Sequence, residues 1–335
     1  MMNFKIAIAS LCTAALSVAA IVSCTDVENI EVQKPYTYSE QYYQNLRDYK
    51  ASEHSVSFMW FADYSSSHSL GIRFLGLPDS LDICSLWGGI PSDVEGKPNT
   101  FYNPKVYEEM RFIQRVKGVR LTYVTFPGVG NNKWLEEYLP ANTDEEKFTL
   151  LKAYGDSLLR IVYNNDLDGM DLDYEIQGDW MHGKNFVTLI EYLGQHIGPK
   201  GKDPEKLLIV DGWPIDGGYE YLSYFVSQAY SSWGAGDLQN RYNEMAAYLP
   251  PERFIVTENM GDYYSTGGVG FTEADGNQYT ENGERLGSLE GMARWNPTQG
   301  RKGGFGAFFG QRDYNNNPPY KYFRRGIQAQ NPAIK

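Results

Sequence analysis

Cysteine and histidine are scarce in this chain, at three and four of 335 residues. No Cys/His spacing resembles a zinc site, and no metal or other cofactor is expected. Cys12 lies inside the apolar run Ile6–Val22 and Cys24 directly after it. Only Cys84 then remains for the body of the chain, which excludes an intrachain disulfide there. Its apolar surroundings make it a small core residue. Positive charge is also short. Thirty Lys and Arg face 42 Asp and Glu, for a formal charge of −12. Nucleic acid is excluded as a partner, because phosphate binding needs a basic surface. No Gly-rich phosphate turn follows the first strand candidate, which disfavours a doubly wound nucleotide-binding sheet. Internal repeats and low-complexity segments are absent too.

The first 23 residues combine Lys5 with the apolar run and read as a signal peptide. The run falls at the short end of a membrane-spanning helix, which disfavours a transmembrane anchor. Ile21-Val22-Ser23 before Cys24 resembles a bacterial lipobox. That resemblance implies cleavage before Cys24 and acylation of its thiol. An ordinary secretory signal with an incidental Cys24 is the alternative. Asp26 and Glu28 are similar to the export tags of surface lipoproteins in the Bacteroides group. The expected location is therefore the outer membrane, anchored by lipid alone, on the cell surface or the periplasmic face. Residues 24–50 read as a polar tether and a short helix over Ser39–Tyr49, and residues 51–335 as one domain.

What the chain has in abundance is aromatic residues, with 26 Tyr and 7 Trp. In an acidic secreted protein some of these rings suit stacking on sugars, while most pack the core. Apolar strand-like runs occur at Val56–Ala62, Leu81–Trp87, Gly118–Phe126, Gly169–Glu175, Leu207–Trp213, Phe225–Tyr230, Arg253–Thr257 and Gly304–Phe309. Several are continuously apolar, as strands buried on both faces are. Helical patterns fall between them at Asn103–Val116, Asp144–Tyr163, Lys184–His196, Asp237–Tyr248 and Gly283–Trp295. Asp144 suits a helix start through capping and the dipole. Leu150, Leu151, Tyr154, Leu158, Leu159 and Val162 then give a 3–4 spacing. Eight strands alternating with helices predict a single (β/α)8 TIM barrel.

The most unusual stretch is Asp168-Gly169-Met170-Asp171-Leu172-Asp173-Tyr174-Glu175, with four carboxylates in eight residues. In a strand Asp171, Asp173 and Glu175 share one face, and Met170, Leu172 and Tyr174 the other. Three carboxylates stacked on a buried face repel one another and lose solvation. Proton chemistry is one reason to keep them there. Glu175 then falls at the strand's C-terminal end, where barrel enzymes place their chemistry. Calcium is a second reading, since Asn164, Asp166, Asp168, Gly169 and Glu175 follow EF-hand spacing. Asp171 at a normally apolar position counts against it. The third reading is structural, with each carboxylate satisfied by its own partner.

The octet matches the DGxDxDxE signature of glycoside hydrolase family 18, and residues 50–335 resemble that family. Gln228-Ala229-Tyr230 is similar to the Gln-x-Tyr that many members place beside the reacting sugar. The lipoprotein start and length resemble the endo-β-N-acetylglucosaminidases of the Bacteroides group, which cut the N,N′-diacetylchitobiose core of N-glycans. The resemblance implies substrate-assisted hydrolysis, with the sugar's 2-acetamido oxygen as nucleophile. Glu175 is then the general acid and later the base. Asp173 accepts a hydrogen bond from the acetamido N–H, and Asp171 shares a proton or a hydrogen bond with Asp173. Tyr230 donates to the acetamido oxygen. Gln228, Trp213, Trp60 and Trp180 are candidate substrate contacts. Asp168 has the wrong strand parity for the site and is read as capping the turn. Many chitinases of the family floor the site with a Trp at the end of the eighth strand. Here Gly304–Gly310 offers Phe, which weakens the chitinase reading. A non-catalytic glycan-binding lipoprotein is the other alternative. The expected partner is a glycan or glycoprotein substrate, and the expected state a monomer.

Overall fold

The computed structural model describes residues 38–65, 72–127, 143–175 and 181–332. The signal segment, Cys24 and Trp180 lie outside the described residues. Gln41–Lys335 forms one compact unit. Eight parallel strands close into a barrel. They are β1 (Val56–Phe61), β2 (Ile83–Leu86), β3 (Arg120–Thr125), β4 (Gly169–Tyr174), β5 (Leu207–Gly212), β6 (Tyr224–Ser227), β7 (Phe254–Asn259) and β8 (Gly304–Phe308). Each coincides with one of the eight apolar runs, and β8 pairs β1 to seal the ring. A two-stranded ladder, Pro91–Ser92 with Phe101–Tyr102, lies outside it.

Strand parity sorts the side chains. Phe58, Trp60, Ile83, Leu207, Ile209, Val226 and Ile255 fill the barrel interior. Their alternates, such as Met59, Phe61, Leu208, Val210 and Phe305, pack outward under the helices. Each such fully buried apolar side chain contributes about 1.5–3 kcal/mol relative to exposure. Cys84 is among the outward-packed core residues and is free.

Among the described residues the α-helices are α1 (Glu40–Ala51), α2 (Pro104–Arg115), α3 (Asp144–Asn164), α4 (Lys184–Leu193), α5 (Ala235–Asn243), α6 (Met260–Tyr263), α7 (Ser288–Arg294) and α8 (Lys321–Gln330). The N-cap of α3 is Thr143, one residue before the expected Asp144. Its side chain accepts from Glu146 N at 3.2 Å, and Glu146 reaches back to Thr143 N at 2.9 Å. Asp144 instead lies in the first turn, where it complements the dipole. The expected stripe from Leu150 to Val162 is buried as read. The fifth crossover differs from the ideal barrel. It has no α-helix and passes through a single 3-10 turn, Tyr219–Tyr221. Gly217 and Gly218 interrupt the pattern there. No helix among the described residues is long and apolar enough to cross a membrane.

Candidate active site

Strand β4 sends Asp171 and Asp173 into the barrel, at 0% and 2% exposure. Met170, Leu172 and Tyr174 join the outer core. Tyr174 stacks on Phe186 of α4 at 4.1 Å and 2°, which pins the strand's end. Glu175 follows at the C-terminal mouth and is exposed. The acidic face is therefore a column, with its open end at Glu175.

Asp171 is held from two strands. Trp60 Nε1 of β1 and Ser85 Oγ of β2 both donate to its Oδ2, each at 2.8 Å. Trp60 and Ser85 are register partners, so one rung of the β1/β2 ladder supplies both donors. Burial pushes Asp171 above the usual carboxylate range, and these donors oppose the rise. Asp173 is also raised, first by burial and then by repulsion from Glu175 and Asp171. Gln228, just past β6, donates to Asp173 Oδ1 at 3.3 Å. Tyr230 stands two residues on, beside Phe308 of β8 at 5.9 Å. Burial, then the anions of Asp211, Asp173, Glu175 and Asp171, push its phenol up, so it remains a proton donor.

Sequence reasoning missed Asp211. It ends the apolar run of β5 at 0% exposure and faces Asp173 in register. Gln228 Nε2 donates to Asp211 Oδ1 at 2.8 Å and so serves both acids. Burial, then Asp171 and Asp173, drive Asp211 well above the carboxylate range. Its parity with Leu207 and Ile209 was the available signal. Gly212 follows at φ 100°, where a Cβ would lie 2.4 Å from Tyr174 O. Only glycine fits that approach of β5 to β4.

The aromatic candidates separate. Trp60 is 1% exposed, with its N–H spent on Asp171, so it supports the acid column and does not offer an open face to sugar. Trp213 is 56% exposed, and its backbone N–H donates to Tyr174 O at 2.9 Å, beside Glu175. Trp233, in the loop after β6, is 71% exposed and was not anticipated. Phe308 takes the strand-eight position, within 5.1 Å of Trp87 and 6.1 Å of Trp60.

The EF-hand spacing does not converge. Asp166 pairs with Arg115 at 3.1 Å. Asp168 Oδ2 accepts from Leu121 N and Gln114 Nε2, each at 2.8 Å, at the entry of β4. Glu175 lies at the other end of that strand, roughly 20 Å away at strand rise.

A family model described as "Glycoside hydrolase family 18, BT1044-like" matches residues 21–329. The chain belongs to glycoside hydrolase family 18. Among curated family relatives, endo-beta-N-acetylglucosaminidase EndoS of Streptococcus pyogenes serotype M1 is 25% identical over 218 residues, covering 55% of this chain. An endo-beta-N-acetylglucosaminidase of Bifidobacterium longum subsp. infantis is 25% identical over 179 residues, 48% of this chain. The matches span 22% and 31% of those longer proteins. Of solved structures, BT1044 in selenomethionine form superposes with a TM-score of 0.71 at 22% identity, covering 88% of this chain and 93% of its own. The endo-beta-N-acetylglucosaminidase of Cordyceps militaris gives 0.59 at 18%, covering 89% and 98%. Both structures share the family barrel.

Proposed function

We propose that this protein is a retaining endo-β-N-acetylglucosaminidase that cleaves the GlcNAc-β-1,4-GlcNAc linkage of N-glycan cores. The observation that carries the reading is the acid column, with Glu175 exposed at the mouth above buried, hydrogen-bonded Asp173 and Asp171. In this reading the Glu175 carboxyl gives its proton to the glycosidic oxygen as the C1–O bond breaks. The substrate's acetamido oxygen attacks C1 and forms an oxazolinium. Asp173 accepts from the acetamido N–H, and Tyr230 donates to the acetamido oxygen. Glu175 then takes a proton from water as water attacks C1, which restores the acid and retains configuration. Asp173 is nearly inaccessible and held by Gln228, which suits contact with an acetamido group more than attack on C1. The curated relatives are named endo-beta-N-acetylglucosaminidases, which supports that activity for this chain. The intact, strained carboxylates favour turnover over mere binding.

The test is glycan release from high-mannose, hybrid and complex glycoproteins, with chito-oligosaccharides alongside. Glu175→Gln should lower kcat roughly 100- to 10,000-fold while binding persists. Absence of release from every N-glycan type would refute the reading, and cleavage of chito-oligosaccharides alone would replace it with a chitinase. The resemblance of Ile21-Val22-Ser23-Cys24 to a lipobox supports a lipid-anchored protein at the outer membrane. Metabolic acyl labelling lost in Cys24→Ala tests that part.

A further inference from the structure

Three buried aspartates meet in the barrel, where the family signature accounts for two. Asp211 of β5 is the register partner of Asp173 of β4 and stands two residues past the rung of Asp171, and Gln228 Nε2 reaches both Asp211 and Asp173. Two oxygens of this group, Asp171 Oδ1 and Asp211 Oδ2, are buried without a donor among the described residues. Trp60 and Ser85 serve Asp171 Oδ2, and Gln228 serves Asp173 Oδ1 and Asp211 Oδ1. Among the described residues no Lys or Arg pairs with the three acids; the remaining titratable groups facing them are Glu175 and Tyr230. Two neighbouring carboxylates, both fully buried and each with an orphan oxygen, are both satisfied by one proton between them.

We propose that Asp211 is a positioning residue that shares one proton with Asp171, which makes the acid column a coupled triad. The inference rests on the glycosidase reading for its consequence. The proton fixes the Asp171 and Asp211 carboxyls as donor and acceptor. It limits the negative charge beneath Glu175. It also leaves Asp173 able to ionise and accept from an acetamido N–H, with no proton drawn from solvent. The group titrates as a unit.

The test begins on substrate-free protein, so it stands apart from the glycosidase reading. Asp211→Asn keeps size and supplies an N–H in place of the O–H. The infrared difference spectrum, wild type minus Asp211→Asn at neutral pH, should show the loss of one protonated carboxylic-acid C=O band with carboxylate bands unchanged. Loss of a carboxylate band with no acid band would overturn the proposal, since both acids would then be ionised. Kinetically, Asp211→Asn should stay within about 10-fold of wild type, whereas Asp211→Leu, which cannot donate, should lose about 100-fold in kcat at similar KM. A packing role alone predicts the opposite order, with the apolar isostere tolerated. If wild type releases no glycan, the function falls while the infrared result still decides the shared proton.

Discussion

Replacing Trp60 by Phe tests how the column is held, because one bond joins β1 to the buried acid of β4. The indole N–H donates to Asp171 Oδ2 at 2.8 Å, and the ring packs edge-on to Phe58 at 4.7 Å. A hydrogen bond to a charged group contributes about 1.5–3 kcal/mol, against about 1 kcal/mol for a neutral pair. The missing ring atoms and the void add about 1–2 kcal/mol. Trp60→Phe should therefore destabilise by about 2.5–5 kcal/mol where Asp171 is ionised. The sign with pH follows from burial. Asp171 has a raised folded pKa, so the native state binds more protons than the unfolded state between the unfolded and folded values. Its contribution declines as pH rises through that window. The Trp60 bond strengthens as the carboxylate forms, so it offsets part of that decline. Urea unfolding of both proteins at the acidic and alkaline ends of the folded range measures this directly. The gap between them should be larger by about 1 kcal/mol at the alkaline end. An equal gap at both ends would refute the claim that Trp60 stabilises an ionised Asp171.

Other outcomes follow from the same structure. Trp213→Ala and Trp233→Ala should raise KM by about 10-fold, because both faces are open to solvent, with stability within about 0.5 kcal/mol; unchanged KM in both would remove them from the substrate path. Gly212→Ala should cost about 1–3 kcal/mol, since its φ is 100° and the Cβ meets Tyr174 O, and should lower kcat by moving Asp211; an unaltered melting temperature would contradict this. His54 has its Nε2 3.0 Å from Asp82 Oδ1. Burial lowers its pKa, but the bond and charge of Asp82 outweigh that and raise it overall. Its contribution is fully present below the unfolded imidazole pKa and is lost as pH rises through the higher folded value. His54→Asn should therefore flatten the melting-temperature profile across that window, and a parallel shift would count against it.

Much of the architecture was legible because local periodicity encodes it. The eight barrel strands are the eight apolar runs, since strands covered on both faces must be apolar nearly throughout. The stripe of α3 follows its 3–4 spacing in the same way. Helix α8 escaped notice although Phe323, Gly326 and Ile327 are its buried face. Arg324, Arg325 and the neighbouring tyrosines blur that short stripe. The fifth crossover carries only a 3-10 turn, whose Tyr219 packs edge-on to Phe225 of β6 at 5.9 Å, a contact between elements.

For the site, alternation along β4 was enough to assign Asp171, Asp173 and Glu175 to one face, because strand geometry alternates side chains whatever the fold. Depth and partners needed the closed barrel. Register placed Asp211 opposite Asp173, and closure brought Trp60 and Ser85 onto Asp171. Such pairings join residues up to 111 positions apart. A one-residue slip between strands would abolish them without changing a single local pattern. The sequence by itself determined that Asp171, Asp173 and Glu175 share one face of their strand. Only the tertiary structure decided that a further acid, on another strand, meets them there.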